Sequence, residues 1–418
     1  MYRRPNLYSS YEKESHIFPT VTQKVIVGLF LLILVLMPFD LPIISQIPGI
    51  RFLGDSRWLR ISSSVLVFVI GALGLNILSG VAGQVSLGHA FFMGAGACTG
   101  AYLGGEANSQ VWGLGLPIWI WLPAAAIVPA VIGALIAPVA VRLRGLYLAI
   151  VTLGLVFVGI HLGTMGFGRR IAGPQQLGRG MPELDIRLWK EETPLLSVSG
   201  DDSTWFGLDI TDNMKTYWFM LVLAVAAVVL AKNLVRSRTG RALQAIRDRD
   251  VAAEVMGVPE QKYKVIAFAI SSAYAGVAGA MLAALSGTVL SDSFNLFLSV
   301  EFVAIVLIGG AGSTAGTVIG AAFVVLIPRF LEEFTKWLED VEGGLFGLLS
   351  NVMLTSGEGD FGFISTGIQT QGWPLSIFDW NVILFGFLIV VFLIFEPLGL
   401  FGIWVKIRNY WKGWPFSY

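Results

Sequence analysis

Three polar side chains that could do chemistry, Gln84, Ser86 and His89, lie close together in the apolar stretch GQVSLGH. At membrane depth such groups must find partners or line a wet cavity. Gly83 and Gly88 bracket them and indicate an unwound chain, whose exposed backbone also needs partners. Two interpretations therefore stay open: these side chains cap a broken helix, or they line the path of a solute. His89 has no acidic neighbour in sequence, so the pattern gives little support to a proton relay.

A second glycine-rich interruption, GGAGSTAG over 309–316, divides the apolar run 301–327. The first interruption covers 79–88. One such break in each half of the chain is typical of repeated halves with discontinuous helices around a midplane pathway, although glycines also simply let helices pack closely. The predicted pathway residues are Asn76, Gln84, Ser86, His89, Gly309, Gly310 and Ser313.

Three glycines after the first interruption are spaced by four: Gly96, Gly100 and Gly104. On a helix they form one bare stripe, which allows the backbone of a neighbouring helix to approach closely. We therefore predict that these three glycines serve helix packing.

The polar segment 232–264 contains eight basic and four acidic residues, which predicts a cytoplasmic loop. Its sequence favours two short helices, the second capped by Asp250 and stopped at Gly257. Capped, charged helices in such a loop either lie on lipid headgroups or dock a partner. The basic excess alone does not distinguish these uses, because it is also the ordinary orientation signal.

Composition predicts a membrane protein and narrows the functions open to it. Of 418 residues, 55% are hydrophobic and 13% charged, with a mean hydropathy of +0.73, whereas soluble domains carry roughly 25% charged residues. One cysteine and three histidines argue against a metal centre. No Walker A, H-E-x-x-H or supported nucleophile-elbow pattern occurs, so no catalytic residues are predicted. Carboxylates are scarce inside the apolar runs, which makes an ion-driven carrier less favoured.

The fold class predicted from these patterns is an all-α polytopic bundle of about nine or ten transmembrane helices. The candidate spans are 25–39, 61–80, 86–104, 117–141, 145–167, 217–231, 265–287, 301–327 and 380–404. The predicted domains are a cytoplasmic tail 1–24, a membrane domain 25–404 with external loops 168–216 and 328–379 and the cytoplasmic loop 232–264, and a cytoplasmic tail 405–418. Nine full crossings would put the termini on opposite sides, and a hairpin within 301–327 would restore even parity.

Five blocks of the chain, in order, resemble permease subunits of ABC importers for branched-chain amino acids. They are GLNILSGVAGQVSLGHAFFMGAGACTGAYL (74–103), RLRGLYLAIVTLGL (142–155), SRTGRALQAIRDRDVAAEVMGVPEQKYKVIAFAISSAYAGVAGAMLA (237–283), SVEFVAIVLIGGAGSTAGTVIGAAFVVLIP (299–328) and EPLGLFG (396–402). The resemblance implies a homologous permease partner, two cytoplasmic ATP-binding subunits and an external substrate-binding protein. It also implies no cofactor on this chain, since ATP is bound by the partners, and a prokaryotic cytoplasmic (inner) membrane location.

The resemblance further implies that the loop at 237–260 couples this chain to the ATPases. The residues given that role are Gly240, Arg241, Ala242, Ile246, Arg247, Asp248, Ala252, Ala253 and Gly257. A departure from the family pattern falls at IAGPQQLGRGMP (171–182), and both external loops are long, so they could dock a binding protein or form a passive cap. Hydrophobic amino acids are the first substrate expected, and another small polar solute remains open. The alternative function is a stand-alone secondary transporter or channel.

Overall fold

Helices make up nearly all of the regular structure in a computed structural model of the chain. The structure describes residues 21–39, 55–142, 145–174, 177–185, 203–205, 208–340, 354–355, 364–365, 375–396 and 398–413. The chain divides into two units, Met1–Ser299 and Val300–Tyr418. The predicted tail 1–24 therefore lies mostly outside the described residues, as do large parts of the two predicted external loops.

The helices of the first unit differ widely in length. They are α1 (Val21–Leu36), α2 (Ser56–Leu75), α3 (His89–Gly104), α4 (Ile118–Arg142), α5 (Leu146–Thr164), α6 (Gly166–Ala172), α7 (Asp212–Arg236), α8 (Arg238–Asp248), α9 (Asp250–Val255) and α10 (Glu260–Ser286). A π-helical turn, Asn76–Val81, extends α2, and a 3-10 turn, Ser291–Ser293, follows α10. The helix α11 (Leu296–Gly309) runs across the boundary between the two units.

Six helices in the described part of the chain are long and apolar enough to cross a membrane. They are Ser56–Val81, Ile118–Val139, Tyr147–Thr164, Asp212–Arg236, Glu260–Ser286 and Ser291–Gly309. Lys24–Leu36 and Thr314–Phe330 are shorter apolar helices. The all-α, polytopic class predicted from the sequence is therefore confirmed, whereas the total of nine or ten spans stays a prediction.

The helix α10 lies at the centre of the first unit and packs against α2, α3 and α4. Each neighbour presents a glycine to it: Gly74 faces Tyr274, Gly96 faces the backbone of Gly276, and Gly133 faces Ser272. A methyl group at any of these glycines would overlap atoms of α10. Small residues thus let the helices pack closely. Such packing is needed in a membrane, because lipid tails are as apolar as the side chains and the hydrophobic effect does not drive helices together.

Three helices of the first unit, α4, α5 and α7, expose apolar side chains on one face. Only 28% of α4, 22% of α5 and 28% of α7 is buried over their most apolar stretches, against 78% for the α2 span. Leu135, Tyr147 and Val222 are among the exposed side chains. Such faces fit contact with lipid or with another membrane subunit.

Short strands occur between the helices. β1 (Arg179–Gly180) pairs antiparallel with β4 (Thr288–Val289), and β2 (Ser203–Trp205) pairs with β3 (Leu208–Ile210). In the second unit, β5 (Leu354–Thr355), β6 (Ile364–Ser365) and β7 (Leu375–Ser376) form a small parallel sheet.

The second unit contains α12 (Thr314–Asp340), α13 (Ile377–Phe395) and α14 (Gly399–Gly413). α12 packs against both α13 and α14. The span predicted at 380–404 was wrong as a single helix, because α13 ends at Phe395 and α14 begins at Gly399. The sequence EPLG places proline and glycine there, and both residue types interrupt helices.

Candidate functional site

The helix break predicted at 79–88 is confirmed in the first unit. The π-helical turn Asn76–Val81 ends α2, residues 82–88 are not helical, and α3 begins at His89. Gly83 turns the chain with a φ of +70°, a conformation that side chains rarely adopt. π-helical turns are rare and frequently occur at functional sites.

All four pathway residues predicted in this unit lie at the break and are buried. Asn76 and His89 stand at its two ends, and Gln84 and Ser86 lie in the unwound chain between them. The polar groups that the sequence singled out thus all lie at the break and away from solvent.

Side chains from two other helices satisfy backbone donors at the start of α3. The Leu87 N–H donates to Thr152 Oγ1 of α5 at 3.0 Å, and the Ala90 N–H donates to Ser299 Oγ of α11 at 2.9 Å. The first N–H groups of any helix lack partners within the helix, so the Ser299 hydroxyl acts as a cap supplied from a distance. Thr152 instead satisfies the unwound chain just before the N-cap residue Gly88. Sequence reasoning missed both, because they lie 65 and 209 residues from the groups they bond.

Ser86 and Gln84 have different surroundings at the break. Ser86 Oγ accepts from the Gly88 N–H at 3.3 Å, which is the capping role left open by the sequence. Gln84 is only 6% exposed, and its Oε1 has no hydrogen-bond partner within the described part of the chain. A buried polar atom without a partner is costly, so this oxygen points to a function beyond support of the fold.

Gln84 lines a cavity of about 260 Å³ beside the break. The walls come from 82–85 of the break, 246–250 of α8 and α9, and Gly145, Leu148 and Lys264. The cavity therefore connects the predicted pathway with the predicted coupling loop.

The two short helices predicted in this loop are confirmed as α8 and α9. Ser237 caps α8 by accepting from the Gly240 N–H at 3.3 Å. The cap predicted for α9 was wrong, because Arg249 holds the N-cap position without a side-chain bond and Asp250 is the first residue of the helix. Its Oδ1 accepts only from the neighbouring Val251 N–H, at 2.9 Å. After α9, Gly257 adopts a φ of +83°, the left-handed stop expected there.

One face of α8 packs directly on the helix break. Gly240, Ala242, Leu243 and Ile246 are buried, and Leu243 shares a core cluster with Leu78, Val81 and Ala82. Arg247 adds a polar link, donating from Nη1 to the Gly80 carbonyl at 2.5 Å. Of the predicted coupling residues, this face holds Gly240, Ala242, Ile246 and Arg247 against the membrane domain.

The opposite surface of the loop is exposed. Arg241 and Asp248 of α8 and Ala252 of α9 are exposed, whereas Ala253 is buried. Sequence reasoning missed three exposed apolar side chains, Val251, Val255 and Met256, the last two each 82% exposed. Their apolar character in a polar loop is the sequence signal that could have revealed them, because clustered exposed apolar side chains usually mark an interaction site.

The predicted interruption at 309–316 is confirmed in the second unit. α11 ends at Gly309, α12 begins at Thr314, and Gly310 and Gly312 have φ values of +108° and +86°. Ser313 caps α12, since its Oγ accepts from the Gly316 N–H at 3.1 Å. The backbones of Gly309 and Gly316 touch, as do those of Gly310 and Leu398, so side chains are excluded there.

A buried arginine that sequence reasoning missed organises a loop region of the first unit. Arg179 of β1 donates from Nη1 to the carbonyls of Trp112 and Ile171, the latter at 3.1 Å. Burial lowers the pKa of its guanidinium from the ordinary value. A cavity of about 730 Å³ next to this loop includes Glu106, Glu183 and Asp185 in its lining.

The glycine stripe of α3 makes close contacts along its length. Gly96 lies against Gly276, and both Gly100 and Gly104 lie against the Trp121 ring. A methyl group at any of the three positions would contact its neighbours too closely.

Comparison with known families places these features in a class of membrane permeases. The model of the branched-chain amino acid transport system / permease component family matches residues 58–356, which include both helix breaks and the loop of α8 and α9. The chain belongs to this family.

Individual relatives agree with this assignment. The chain is 31% identical over 292 residues to the high-affinity branched-chain amino acid transport system permease protein LivM of Escherichia coli, covering 69% of this chain and 67% of LivM. It is 24% identical to a probable branched-chain amino acid transport permease protein LivM of Methanocaldococcus jannaschii, covering 59% and 65%. It is 32% identical to the xylose transport system permease protein XylH of Haemophilus influenzae, covering only 30% and 36%. No solved structure matches. The relatives do not favour a stand-alone carrier or channel.

Proposed function

We propose that this chain forms a translocation pathway for amino acids, branched-chain ones first, within an importer driven by separate ATP-binding subunits. The observation that carries this proposal is the direct packing of α8 on the helix break. A loop that touches the break on one face and exposes apolar side chains on the other is suited to transmit motion from a partner. The substrate class rests on the relatives' names alone.

The pathway in this proposal passes the unwound chain at 82–88. Gln84 supplies an amide to a passing solute, and Asn76, Ser86 and His89 complete the polar surroundings. The interruption in the second unit contributes Gly309, Gly310 and Ser313 as a second stretch of irregular backbone. Irregular backbone at membrane depth is tolerated where it is buried or lines a cavity, which supports this role.

The partners in this proposal are a homologous permease, two cytoplasmic ATPase subunits and an external binding protein. The exposed face formed by Arg241, Asp248, Val251, Val255 and Met256, here called the docking face, contacts an ATPase. This chain catalyses no reaction, and ATP is bound and hydrolysed by the partners. The membrane is a prokaryotic cytoplasmic membrane, with both termini and the docking face in the cytoplasm. Gly96, Gly100 and Gly104 serve helix packing.

A cysteine crosslinking experiment tests the docking face. The chain contains a single cysteine, Cys98, so Cys98→Ala gives a cysteine-free background. In that background we expect Val255→Cys to crosslink to the ATPase subunit of the importer when the two are co-expressed in membranes. Val255 is the test position because its side chain is 82% exposed at the end of α9.

Gln110→Cys provides the matched control, because Gln110 is also exposed but lies in the loop after α3. It should give no crosslink to the ATPase. A crosslink from Gln110→Cys with none from Val255→Cys would overturn the assignment of the docking face.

A further inference from the structure

The carbonyl of Gly80 stands at the unwound end of the α2 span. A helix leaves its last carbonyl groups without partners inside the helix. The Ala82 N–H donates to Ile77 and the Gln84 N–H donates to Leu78, both at 3.0 Å, so these bonds take up earlier carbonyls of the turn. The Gly80 carbonyl instead accepts from Arg247, a residue 167 positions downstream in α8.

Packing holds the Arg247 side chain in this position. Its Cβ and Cγ lie over the α-carbon of Gly83, where any larger residue at 83 would place its own Cβ. The neighbouring Ile246 is buried and keeps α8 against the break. The guanidinium thus brings a positive charge to a helix C-terminus, where the helix dipole favours a cation.

The Arg247 contact is also accessible. The side chain is 44% exposed, and its ion pair with Asp248, at 3.5 Å, joins two exposed groups and contributes little. Water can therefore replace the guanidinium at Gly80 whenever α8 moves. A fully buried arginine could not exchange in this way without leaving a buried charge unpaired.

We propose that Arg247 is a removable cap that couples movement of α8 to the conformation of the helix break. The inference rests on the proposed function, in which α8 and α9 face the ATPase. When α8 is drawn away, Gly80 loses its donor and the end of the α2 span is free to rearrange. Arg247 is a positioning residue, since it acts on the pathway through the backbone of the break.

α8 is hydrogen-bonded to one side of the break, the end of the α2 span, through Arg247. The start of α3 is held by Thr152 of α5 and Ser299 of α11, neither of which belongs to the loop. Movement of α8 therefore changes one end of the unwound chain while the other stays anchored. Gln84 lies between these two ends, so its amide changes position when the cap is removed.

The test uses the complete importer reconstituted in proteoliposomes, with radiolabelled leucine as the probe and ATP hydrolysis measured in parallel. Arg247→Ala should lower leucine taken up per ATP hydrolysed by about tenfold, the ratio that about 1.4 kcal/mol represents. Hydrolysis itself should persist, because the docking face is intact. Arg247→Lys keeps a charged donor and should recover to within about threefold of the parent, since charged hydrogen bonds are the strong ones.

Arg238→Ala is the matched control, because it removes the same charge from an exposed position at the start of α8. It should leave the uptake per ATP unchanged. If Arg247→Ala prevents assembly, Arg247→Gln is used instead, since it retains an N–H donor without the charge. That variant should assemble and show an intermediate ratio.

Gly83→Ala gives an independent arm, because the added methyl group would displace Arg247 from Gly80. Alanine also strains the backbone at the φ of +70°, so combined with Arg247→Ala it should lower uptake per ATP further, but by less than the sum of the two single effects, whereas independent sites would add. An unchanged uptake ratio in an active Arg247→Ala complex overturns the inference, as does an equal loss in Arg238→Ala. An unaltered complex that hydrolyses ATP without any leucine uptake would instead contradict the proposed function.

Discussion

The amide oxygen of Gln84, in the unwound chain of the helix break, has no hydrogen-bond partner within the described residues. Ser86 is explained by the backbone donor it caps. Removal of a satisfied group leaves its partner stranded, whereas removal of an unsatisfied one relieves a cost. A role in transport and a role in folding therefore make opposite predictions at this residue.

We expect Gln84→Leu to lower leucine uptake by about tenfold or more without lowering the thermal stability of the purified chain, since it removes a buried unsatisfied acceptor. Uptake by the complete importer and thermal unfolding in detergent check the two effects. Cys98→Ala is the control and should leave uptake unchanged. Equal uptake by the Gln84→Leu and Cys98→Ala variants would remove Gln84 from the pathway.

Ser299→Ala should destabilise the chain by about 1 kcal/mol, the usual cost of a lost helix cap. The reason is that the Ala90 N–H loses its acceptor. Thermal unfolding measures the loss, and faster hydrogen exchange at Ala90 locates it. Ser286→Ala, which removes an exposed hydroxyl bonded within its own helix, should cost less. A Ser299→Ala protein as stable as the parent would show that the cap contributes nothing.

At the scale of single residues, the sequence indicated which polar residues lie at the break but not which side chains hydrogen-bond its backbone. Gln84 and His89 were recognisable because polar groups stood out in an apolar run. Thr152 and Ser299 were not, because a hydroxyl in a membrane helix commonly bonds its own backbone. Arg179 was hidden in the same way, since its carbonyl partners carry no side-chain signal.

Close helix packing around α10 is the main structural feature at the scale of elements. Gly276 faces the Ala125 carbonyl and Pro129 of α4, while Gly96 of α3 approaches its backbone. Alanine is favoured over glycine in a helix by up to about 1 kcal/mol, so retention of glycine here requires a steric reason.

Gly276→Ala should destabilise the chain by about 1–3 kcal/mol, as overpacking does, because its methyl group would overlap backbone of α4. Gly154→Ala is the matched control, since no atom lies within 4 Å of the added Cβ, and it should be neutral or stabilising. Thermal unfolding of both purified variants gives the comparison. A Gly276→Ala variant as stable as Gly154→Ala would contradict the packing argument.

The docking face makes a prediction about coupling. Asp248 is 71% exposed, so Asp248→Lys reverses a surface charge without disturbing the core. We expect uptake by the complete importer to fall by about fivefold or more, since misplaced charge at an interface weakens association, while the chain alone unfolds at the same temperature. Normal uptake by this variant would remove Asp248 from the interface.

Elements were predictable from sequence where glycine or a cap marks a boundary. Both helix breaks and the two helices α8 and α9 followed from such residues. The division of 380–404 into α13 and α14 was missed because hydropathy alone runs through it. Span bounds erred in both directions. α7 begins at Asp212 rather than 217, since amphipathic ends of a span lower its mean hydropathy, whereas the span predicted at 145–167 is longer than α5.

For the whole molecule, composition was enough to establish the membrane class, and five ordered blocks were enough to indicate the family that the comparisons confirm. Substrate and partners could not follow from the fold of one chain. A fold hosts many functions, and the substrate is also selected by proteins outside this sequence. Uptake measurements on the assembled system therefore carry the decisive information.

The most direct test is leucine uptake into proteoliposomes containing either this chain alone or the complete importer with its permease partner, ATPases and binding protein. We predict ATP-dependent uptake by the complete importer only, and neither uptake nor ATP hydrolysis by the chain alone. Sustained leucine uptake by the chain alone would contradict this account and establish a stand-alone carrier or channel.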